Sequence, residues 1–492
     1  MSEMTLADLL QGFAPVVAER LQKVPVSRLT QDSREITAGD LFVALSGGTF
    51  DGRQFVEQAL NKGAIAALVE GDKTQHDFEI AVPDLRTKLS AIAGRLYGDA
   101  SQELDVYAVT GTNGKTTISQ LLAAALTQLD GPCAVMGTLG NGLYGSLQPS
   151  RHTTMDAIAM QASLRELRKQ GAKQVAMEVS SHGLDQGRVA AVKFDVAVFT
   201  NLTRDHLDYH GTMERYGEAK RKLFVWPSVK HVVINADDAF GRQLLADQGI
   251  TAQKWAYGIR PQQVGNIAGY IHAEKIHYSH DGILAEIVTP WGRRLLQSPL
   301  LGEFNLSNLL AALTALCAQG YALEDVATVL GTVPPIAGRM ERFGGDKVPL
   351  VVVDYAHTPD ALEKALLALR LHTMGKVAVV FGCGGDRDRG KRPEMGAIAE
   401  KLADLVVLSN DNPRTEQPEQ IAADIRAGMA NADAVTFIAD RPQAIAKAFA
   451  ELGQHDGLLL AGKGHESYMD AAGVRTPYSE VAVVRKLLEQ AS

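Results

Sequence analysis

Residues 105–129 read DVYAVTGTNGKTTISQLLAAALTQL and contain an apolar run, a glycine-rich turn and an amphipathic segment. The run 106–109 predicts a short buried strand, and residues 118–129 predict a helix because apolar side chains recur there at three- and four-residue intervals. A glycine-rich turn between a strand and a helix N-terminus aims backbone N–H groups at phosphates. Lys115 would add a positive charge and Thr116 a hydroxyl for Mg²⁺, so the stretch predicts an ATP site.

The turn is shorter than the common phosphate-binding loop, because Val109 stands where that pattern requires its first glycine. A glycine-rich turn with an incidental lysine is therefore the alternative interpretation. The predicted strand before the turn and the predicted helix after it favour nucleotide binding.

Composition narrows the class of protein. The chain has 492 residues, which favours about three domains. Its net charge is −8 and it has no long basic run, which argues against a nucleic-acid partner. The cysteines Cys133, Cys317 and Cys383 are far apart, which indicates a reducing compartment and argues against structural zinc. With no signal-type N-terminus and no membrane-length apolar run, we expect a cytoplasmic protein without membrane insertion.

Apolar runs alternate with helical patterns along the whole chain. Predicted strands are 41–45, 64–69, 174–179, 194–199, 231–235, 350–354, 376–381, 403–408 and 457–461, and predicted helices include 55–62, 157–169 and 305–318. This alternation predicts an α/β protein with mainly parallel sheets. We expect three domains: a smaller N-terminal α/β domain (1–100), a central doubly wound phosphate-loop domain (101–337) and a C-terminal Rossmann-like domain (338–492).

Polar clusters begin where the apolar runs end. They occupy 178–188, 200–210, 354–360, 382–389, 411–414 and 462–466. Open parallel sheets bind ligands just beyond the carboxyl ends of their strands. These clusters on two predicted sheets therefore predict a cleft between domains.

Single residues in these clusters allow more than one interpretation. Glu178 is a candidate Mg²⁺ ligand, or a carboxylate satisfied by loop N–H groups. His206 could be a general base, a metal ligand or a surface residue. Lys220, taken alone, resembles a solvated helix lysine. The arginine-rich loop 386–392 could be a solvated turn, but next to a phosphate-loop domain it is better interpreted as a carboxylate or phosphate clamp. The turns that follow residue 32 in the N-terminal region could be ordinary surface.

Five motifs together resemble the Mur ligases, ATP-dependent amide-forming enzymes of peptidoglycan precursor synthesis, on which cell shape and division depend. They are GTNGKTT at 111–117, MEVSSHG at 177–183, NLTRDHLD at 201–208, GRME at 338–341 and DYAHTPD at 354–360. The DNPR at 411–414 resembles the signature of members that add meso-2,6-diaminopimelate rather than L-lysine. The resemblance covers essentially the whole chain.

The resemblance implies roles for individual residues. ATP would be bound by Gly111, Thr112, Asn113, Gly114, Lys115, Thr116, Thr117, Asn305, Asn308, Arg339, Asp354 and His357. Thr116 and Glu178 would hold one Mg²⁺ and His206 a second. Lys220 matches the family's carbamylated lysine (N6-carboxylysine), whose carbamate would bridge the metal ions. Carbamylation requires a neutral amine, so the pKa of Lys220 should be depressed.

The two other substrates have implied contacts as well. The UDP-linked muramoyl dipeptide would be bound by Gln31, Ser33, Gly48, Thr49, Phe50, His152, Thr153, Thr154, Ser180, Gln186 and Arg188, although His152 stands where asparagine is expected. Diaminopimelate would be bound by Arg387, Asp411, Asn412, Pro413, Arg414, Gly462 and Glu466. Arg414, with Arg387, would take its distal carboxylate and Glu466 its distal ammonium. Buried arginines left unpaired would make such a site reject lysine.

The resemblance thus predicts a monomeric ligase that uses ATP and two Mg²⁺ ions, acts only on small molecules and proceeds through an acyl phosphate. Three alternatives stay open. One is a lysine-adding or folate–glutamate ligase, which the 411–414 loop disfavours. A phosphate-loop motor or switch ATPase would need a fuller loop, and the acidic balance disfavours it. A non-catalytic binding protein would be favoured if Lys115, Glu178, His206 or Lys220 were replaced, and none is.

Overall fold

The computed structural model describes residues 4–14, 17–46, 51–150, 152–265 and 267–491. The chain divides into two compact units. The first comprises Met1–Ala256, Val264–Ala268 and Ala318–Gly320, and the second comprises Tyr257–Gln263, Gly269–Cys317 and Tyr321–Ser492.

The first unit begins with a small parallel sheet. Its strands, in spatial order, are β1 (Arg28–Thr30), β2 (Asp40–Ala44), β3 (Ala66–Glu70) and β4 (Glu79–Val82). The helices around it are α1 (Leu6–Leu10), α2 (Glu19–Gln22), α3 (Val56–Asn61) and α4 (Leu85–Tyr97), with 3₁₀ turns at Gly52–Phe55 and Ala100–Glu103. The sheet is buried on both faces, which is the usual state of a parallel sheet.

A larger sheet fills the rest of the first unit. Its strands are β5 (Asp105–Thr110), β6 (Cys133–Gly137), β7 (Gly140–Leu143), β8 (Ser146–Gln148), β9 (Gln174–Glu178), β10 (Val196–Phe199), β11 (His231–Asn235) and β12 (Gln253–Tyr257). They lie in the order β8-β7-β6-β9-β5-β10-β11-β12, and β6, β9, β5, β10 and β11 are parallel. The helices are α5 (Lys115–Leu129), α6 (Ala157–Lys169), α7 (Ser181–Asp185), α8 (Leu207–His210), α9 (Met213–Arg221) and α10 (Ala239–Ala246).

The stretch 105–129 forms the predicted strand and helix. β5 is flanked by β9 and β10, and its residues 106–110 are buried. Helix α5 begins at Lys115, three residues before its predicted start, because the lysine and the threonines of the turn form its first helical turn. Gly114 caps this helix at φ +87°, a left-handed conformation that glycine adopts without strain.

The second unit contains a three-stranded antiparallel meander and a mainly parallel sheet. The meander is β13 (Gly269–Ser279), β14 (Gly282–Thr289) and β15 (Gly292–Ser298). The sheet consists of β16 (Glu341–Gly344), β17 (Leu350–Asp354), β18 (Val377–Phe381), β19 (Leu405–Leu408), β20 (Thr436–Phe437) and β21 (Gly457–Ala461), in the order β16-β17-β21-β18-β19-β20. A hairpin of β22 (Tyr468–Ala471) and β23 (Val474–Pro477) follows.

The helices of the second unit are α11 (Glu303–Ala318), α12 (Leu323–Thr332), α13 (Pro359–His372), α14 (Lys391–Leu402), α15 (Pro418–Arg426), α16 (Arg441–Ala450) and α17 (Glu480–Ala491). All the predicted strands and helices are present, several with the predicted bounds, and the α/β class is confirmed. No helix in the part of the chain that the structure describes is long and apolar enough to cross a membrane. The three cysteines are buried and form no disulfide.

Candidate functional site

The polar loops of the first unit meet at one edge of its large sheet. Strands β9, β5 and β10 are parallel neighbours; β9 and β10 continue at their carboxyl ends into predicted polar segments, and β5 continues into the glycine-rich turn. The turn 111–114 therefore lies between the segment that starts at Glu178 and the segment that starts at Thr200. This is the edge at which doubly wound sheets bind nucleotides.

The turn is held rigidly against the segment that follows β10. Asn201 accepts from the backbone N–H of Thr112 at 2.8 Å and, through its side-chain oxygen, from that of Asn113 at 3.0 Å. Thr200 Oγ1 donates to the carbonyl of Asn113 at 2.6 Å. A Cβ atom on Gly111 would lie 1.7 Å from Thr200 Oγ1, so this close approach requires glycine.

Two lysines converge on the turn. Lys115 Nζ donates to the carbonyls of Gly111 at 2.9 Å and Thr112 at 2.7 Å, and Lys220 Nζ donates to the same Gly111 carbonyl at 2.8 Å. Lys220 is 1% exposed, so it is not a solvated helix lysine. Burial, with the nearby Lys115 charge, lowers the pKa of Lys220 well below its usual value. This shift favours the neutral form of the amine.

Glu178 is 2% exposed and lies beside the first turn of α5. Its Oε2 accepts from Thr116 Oγ1 at 3.0 Å and from Thr138 Oγ1 at 3.2 Å, and its Oε1 accepts from Thr138 N at 2.7 Å. A carboxylate and a hydroxyl so placed are the oxygen ligands that Mg²⁺ prefers. The same contacts also match the alternative interpretation, in which loop donors satisfy the carboxylate.

His206 lies at the same edge in a cluster of rings. Its Nε2 is 3.4 Å from Asp205 Oδ2, its side chain is 46% exposed, and its backbone is left-handed at φ +52°. The ring centroids of His206 and His182 are 4.9 Å apart, and those of His182 and His210 are 5.4 Å apart. His206 is thus accessible to a ligand, with Asp205 available to orient its imidazole.

The predicted contacts of the muramoyl dipeptide lie next to Glu178. Thr154 Oγ1 donates to the Glu178 carbonyl at 3.0 Å and accepts from Ser180 N at 2.9 Å. Arg188 donates to the Thr154 carbonyl at 2.8 Å and to Gln186 Oε1 at 2.7 Å. The remaining two are Thr153, whose Oγ1 lies 3.1 Å from that of Thr138, and His152, which is exposed.

The N-terminal contacts are less concentrated. Ser33 is buried and donates to Gln58 Oε1 at 3.0 Å, whereas Gln31 is exposed. Gly48, Thr49 and Phe50 lie outside the described residues.

The polar loops of the second unit also meet at one sheet edge, because β17, β21, β18 and β19 are parallel neighbours. The loops after β19 and β21 are joined by hydrogen bonds. Asn412 Nδ2 donates to Glu466 Oε2 at 2.8 Å, and Lys463 Nζ donates to Asn412 Oδ1 at 2.9 Å and to Glu466 Oε2 at 2.8 Å. Burial raises the pKa of Asp411, while Arg441 and Lys463 oppose that shift.

Arg414 and Arg387 both lie close to Gly384. A Cβ on Gly384 would be 2.9 Å from Arg414 Nη1 and 3.7 Å from Arg387 Cγ. Arg414 is half-buried, donates to the Gly385 carbonyl at 2.6 Å and has a left-handed backbone at φ +50°. Arg387 is exposed, which corrects the prediction of buried arginines. Residues 386–390 of this loop are exposed, whereas Arg392 is buried and pairs with Glu416 and Asp424.

The predicted nucleotide contacts of the second unit form two groups. Asp354 accepts from Met340 N at 2.7 Å and from Ala356 N at 2.8 Å, and burial raises its pKa. Arg339 lies with its guanidinium 5.0 Å from the centre of the Tyr355 ring. His357 Nδ1 lies 2.8 Å from the Tyr355 carbonyl oxygen. The second group, on α11, is Asn305 and Asn308, which are buried, with Asn308 Nδ2 donating to Asn305 Oδ1 at 3.1 Å.

Two residues that contact these sites were not predicted from the sequence. Thr138 follows β6 and holds Glu178, and Lys463 holds Asn412 and Glu466. The sequence signal that could have identified Thr138 and Lys463 is their position, since each lies in a glycine-containing turn directly after a buried strand. Among the described residues there is no group of three or more His, Cys, Asp or Glu side chains that could hold a metal ion. Mg²⁺ can bind with only one or two protein ligands, because it keeps waters and binds substrate phosphates.

Comparison with known proteins gives family matches along most of the chain. The Mur ligase family catalytic domain matches residues 25–97, the Mur ligase middle domain 109–316, and the Mur ligase glutamate ligase domain 338–464. A solved structure of a UDP-N-acetylmuramoyl-L-alanyl-D-glutamate–2,6-diaminopimelate ligase is 39% identical, with a TM-score of 0.74 and 97% of each chain covered.

Relatives of the same name are more similar in sequence. The one from Pseudomonas aeruginosa is 52% identical over 468 residues, covering 94% of this chain and 95% of the relative. The one from Chromobacterium violaceum is 48% identical over 492 residues, covering 97% of each. Identity at this level along nearly the full length, together with the three domain matches in sequence order, shows that the chain belongs to the Mur ligase family.

Proposed function

We propose that this chain is the ATP-dependent ligase that joins meso-2,6-diaminopimelate to the γ-carboxylate of D-glutamate in UDP-MurNAc-L-Ala-D-Glu, a step of peptidoglycan precursor synthesis. The observation that carries the proposal is the near-full-length identity to relatives that bear the name of this activity. The phosphate loop beside two lysines and a buried carboxylate supports it, because amide formation from a carboxylate requires activation by ATP.

In the proposed reaction, the γ-carboxylate attacks the γ-phosphate of ATP, forming an acyl phosphate and ADP. The turn 111–117 would cradle the phosphates with its N–H groups, and Lys115 would place a positive charge on the transferring phosphoryl group. An amine of diaminopimelate then attacks the acyl carbon and phosphate leaves. Thr153, Thr154, Ser180, Gln186 and Arg188 would hold the muramoyl dipeptide next to Glu178, so that its γ-carboxylate lies close to the phosphate loop.

Two Mg²⁺ ions are part of the proposal. Thr116 and Glu178 offer neighbouring oxygens for one ion, with Oγ1 and Oε2 3.0 Å apart, and these donors fit a hard cation. His206 and a carbamylated Lys220 would hold the second. Bound Mg²⁺ would neutralise the negative charge that develops on the phosphoryl group. The chain's own contribution is to fix the Glu178 carboxylate through Thr138 and to disfavour, by burial, the charged form of the Lys220 amine.

We infer that the amino-acid site lies at the edge formed by the loops after β18, β19 and β21. Arg414, with Arg387 beside it, would bind the distal carboxylate of diaminopimelate, and Glu466 would accept from its distal ammonium. Gly462 would let the ligand approach the backbone beside Asp411. L-Lysine lacks the distal carboxylate and would leave Arg414 without that partner.

The experiment is phosphate release by the purified chain with ATP, Mg²⁺ and UDP-MurNAc-L-Ala-D-Glu, adding meso-diaminopimelate or L-lysine in parallel. We expect phosphate release with diaminopimelate and none with L-lysine. Release with lysine alone would establish the lysine-adding ligase of the same family instead. No release with either amino acid would refute a ligase of this precursor and would favour a non-catalytic member of the fold.

The remaining features of the proposal follow from this activity. We infer a cytoplasmic enzyme that acts as a monomer on small molecules, without nucleic acid or membrane insertion. We also infer three working parts: 1–100 for the UDP end, 101–337 for ATP and 338–492 for the amino acid. Gel filtration and limited proteolysis test the monomer and these boundaries.

A further inference from the structure

We infer that Lys463 is a positioning residue that sets the specificity of the amino-acid site, because it fixes the side chains of Asn412 and Glu466 in one arrangement. This role rests on the proposed function, since it concerns the same site. Lys463 itself would not touch the substrate, because its side chain is 0% exposed.

The surroundings of Lys463 match a lysine ammonium. Its Nζ donates to Asn412 Oδ1 at 2.9 Å, to Glu466 Oε2 at 2.8 Å and to the Tyr468 carbonyl at 2.6 Å. An ammonium has three donors and no acceptor, so these three bonds use it fully. The ammonium also lies 3.8 Å from Asp411 Oδ1, so it is close to two acidic side chains.

These bonds decide which way the Asn412 amide points. Its Oδ1 accepts from both Lys463 Nζ and the backbone N–H of Asp470, the latter at 2.9 Å. The oxygen is therefore fixed toward these two donors, and Nδ2 must face Glu466, to which it donates at 2.8 Å. Without Lys463, only one donor would remain to hold the amide in this orientation.

The consequence reaches Glu466, the proposed acceptor for the distal ammonium. Both of its described side-chain hydrogen bonds, from Lys463 and from Asn412, end on Oε2. The other oxygen, Oε1, accepts no described hydrogen bond from the chain, so in this proposal it is the oxygen that would accept from the ligand's ammonium. A carboxylate held at one oxygen by two donors presents the second in a fixed direction, and that direction selects an amine at one distance from the Arg414 guanidinium.

The backbone places Lys463 inward. Gly462 and Gly464, on either side of it, have φ of +110° and +50°. A Cβ on Gly462 would lie 3.0 Å from Asp411 Oδ2, and one on Gly464 would lie 2.7 Å from Tyr355 Cβ. The two glycines therefore let the loop turn tightly, with the lysine directed under the site.

The test compares wild type with Lys463→Met, which keeps an unbranched, slightly shorter side chain and removes the ammonium with its donors. We expect the KM for meso-diaminopimelate to rise roughly ten- to hundredfold, since charged hydrogen bonds to two site residues are lost. The KM for ATP should change less than about twofold. Lys447→Met is the matched control, because Lys447 lies on the same unit but is exposed, and its one described ion pair is with Glu451. Its kinetic constants should equal those of wild type.

A double-mutant cycle separates positioning from general destabilisation. If Lys463 acts through Glu466, adding Lys463→Met to Glu466→Gln should raise the KM by less than about twofold, whereas independent effects would multiply. Should Lys463→Met fail to fold, Asn412→Asp tests the same arrangement with the lysine in place, by putting an oxygen against Glu466 Oε2. Asn412→Asp should raise the KM for diaminopimelate and leave the KM for ATP unchanged.

Two results would overturn the role. One is an unchanged KM for diaminopimelate in Lys463→Met or, if that variant does not fold, in Asn412→Asp. The other is multiplicative effects in the cycle. If wild type itself released no phosphate with diaminopimelate, the proposed function would fail and this role with it. If wild type were active but the replacement of Lys463 left the KM for diaminopimelate unchanged, only this role would be refuted, and the proposed function would stand.

Discussion

The replacement Gly137→Ala tests whether Glu178 works where the structure places it. Gly137 ends β6, and an added Cβ would lie 2.3 Å from Glu178 Oε1 and 2.8 Å from its Cδ. Ordinary van der Waals contacts of a Cβ lie at 3.4–4 Å, so the carboxylate would have to move by roughly 1 Å. Thr138 N and Thr116 Oγ1 hold that carboxylate from other sides, and the movement would strain both bonds.

A misplacement of about 1 Å at a reacting centre costs on the order of 10²-fold in rate. We therefore expect kcat to fall about a hundredfold and the Mg²⁺ concentration for half-maximal rate to rise. The cost in stability should be about 1–3 kcal/mol, the usual cost of overpacking. The assay is phosphate release at saturating substrates over a Mg²⁺ titration, with calorimetry on the same samples.

Gly265→Ala is the control, because its Cβ would meet no atom within 4 Å. It should behave as wild type in both measurements. Wild-type kcat and Mg²⁺ dependence in a folded Gly137→Ala protein would refute the reasoning, since the carboxylate could then be displaced without consequence. A loss of rate with an unchanged Mg²⁺ dependence would place Glu178 outside the metal site.

Three further changes are predicted. Lys220→Ala should nearly abolish activity, with partial recovery in added acetate or formate; full activity would remove the carbamate role. Because burial lowers the pKa of Lys220, its amine becomes protonated only as the pH falls through that lowered pKa. Wild-type activity should therefore fall in that pH range and return at higher pH in the presence of bicarbonate, which a pH–rate profile would record. Arg414→Ala should raise the KM for diaminopimelate by about two orders of magnitude or more and leave the KM for ATP unchanged. Equal changes in both constants would show that Arg414 does not set specificity. Arg441→Met should destabilise the second unit by about 3–5 kcal/mol, because it leaves Glu480 buried without its cation. The double variant Arg441→Met, Glu480→Leu should recover much of that stability, as measured by urea unfolding. Equal losses of stability in the single and double variants would contradict the explanation.

The architecture was predictable because its main signals are local. Strands such as His231–Asn235 and Gly457–Ala461 are apolar runs with the predicted bounds, since parallel strands are buried on both faces. The meander starting at Gly269 was not among the predicted strands. Its strands are only half-buried and mix polar with apolar side chains, so the sequence carries a weaker pattern there. The strand Cys133–Gly137 was missed as well, although it is buried, because it is short and ends in glycine.

The positions of the site loops were predictable for a related reason. Loops at the carboxyl ends of neighbouring parallel strands must lie together, and the segments starting at Glu178, Thr200 and Asp411 do so within their units. The contacts inside those loops were not predictable. The hydrogen bonds of Thr138 to Glu178, and the exposure of Arg387, depend on backbone turns that no periodicity encodes.

The two buried lysines show why residue type alone could not assign a role. Lys220 is enclosed with one described carbonyl acceptor and a second cation, Lys115, nearby, so burial acts against its charge and lowers its pKa. Lys463 is enclosed with three acceptors, two of them side-chain oxygens, and with Asp411 close to it. The first environment favours an uncharged amine, as the proposed carbamylation requires, whereas the second favours an ammonium whose donors are all used, as the proposed positioning role requires. It follows that carbon dioxide should modify Lys220 and leave Lys463 unmodified, although both are lysines beside glycine-containing turns.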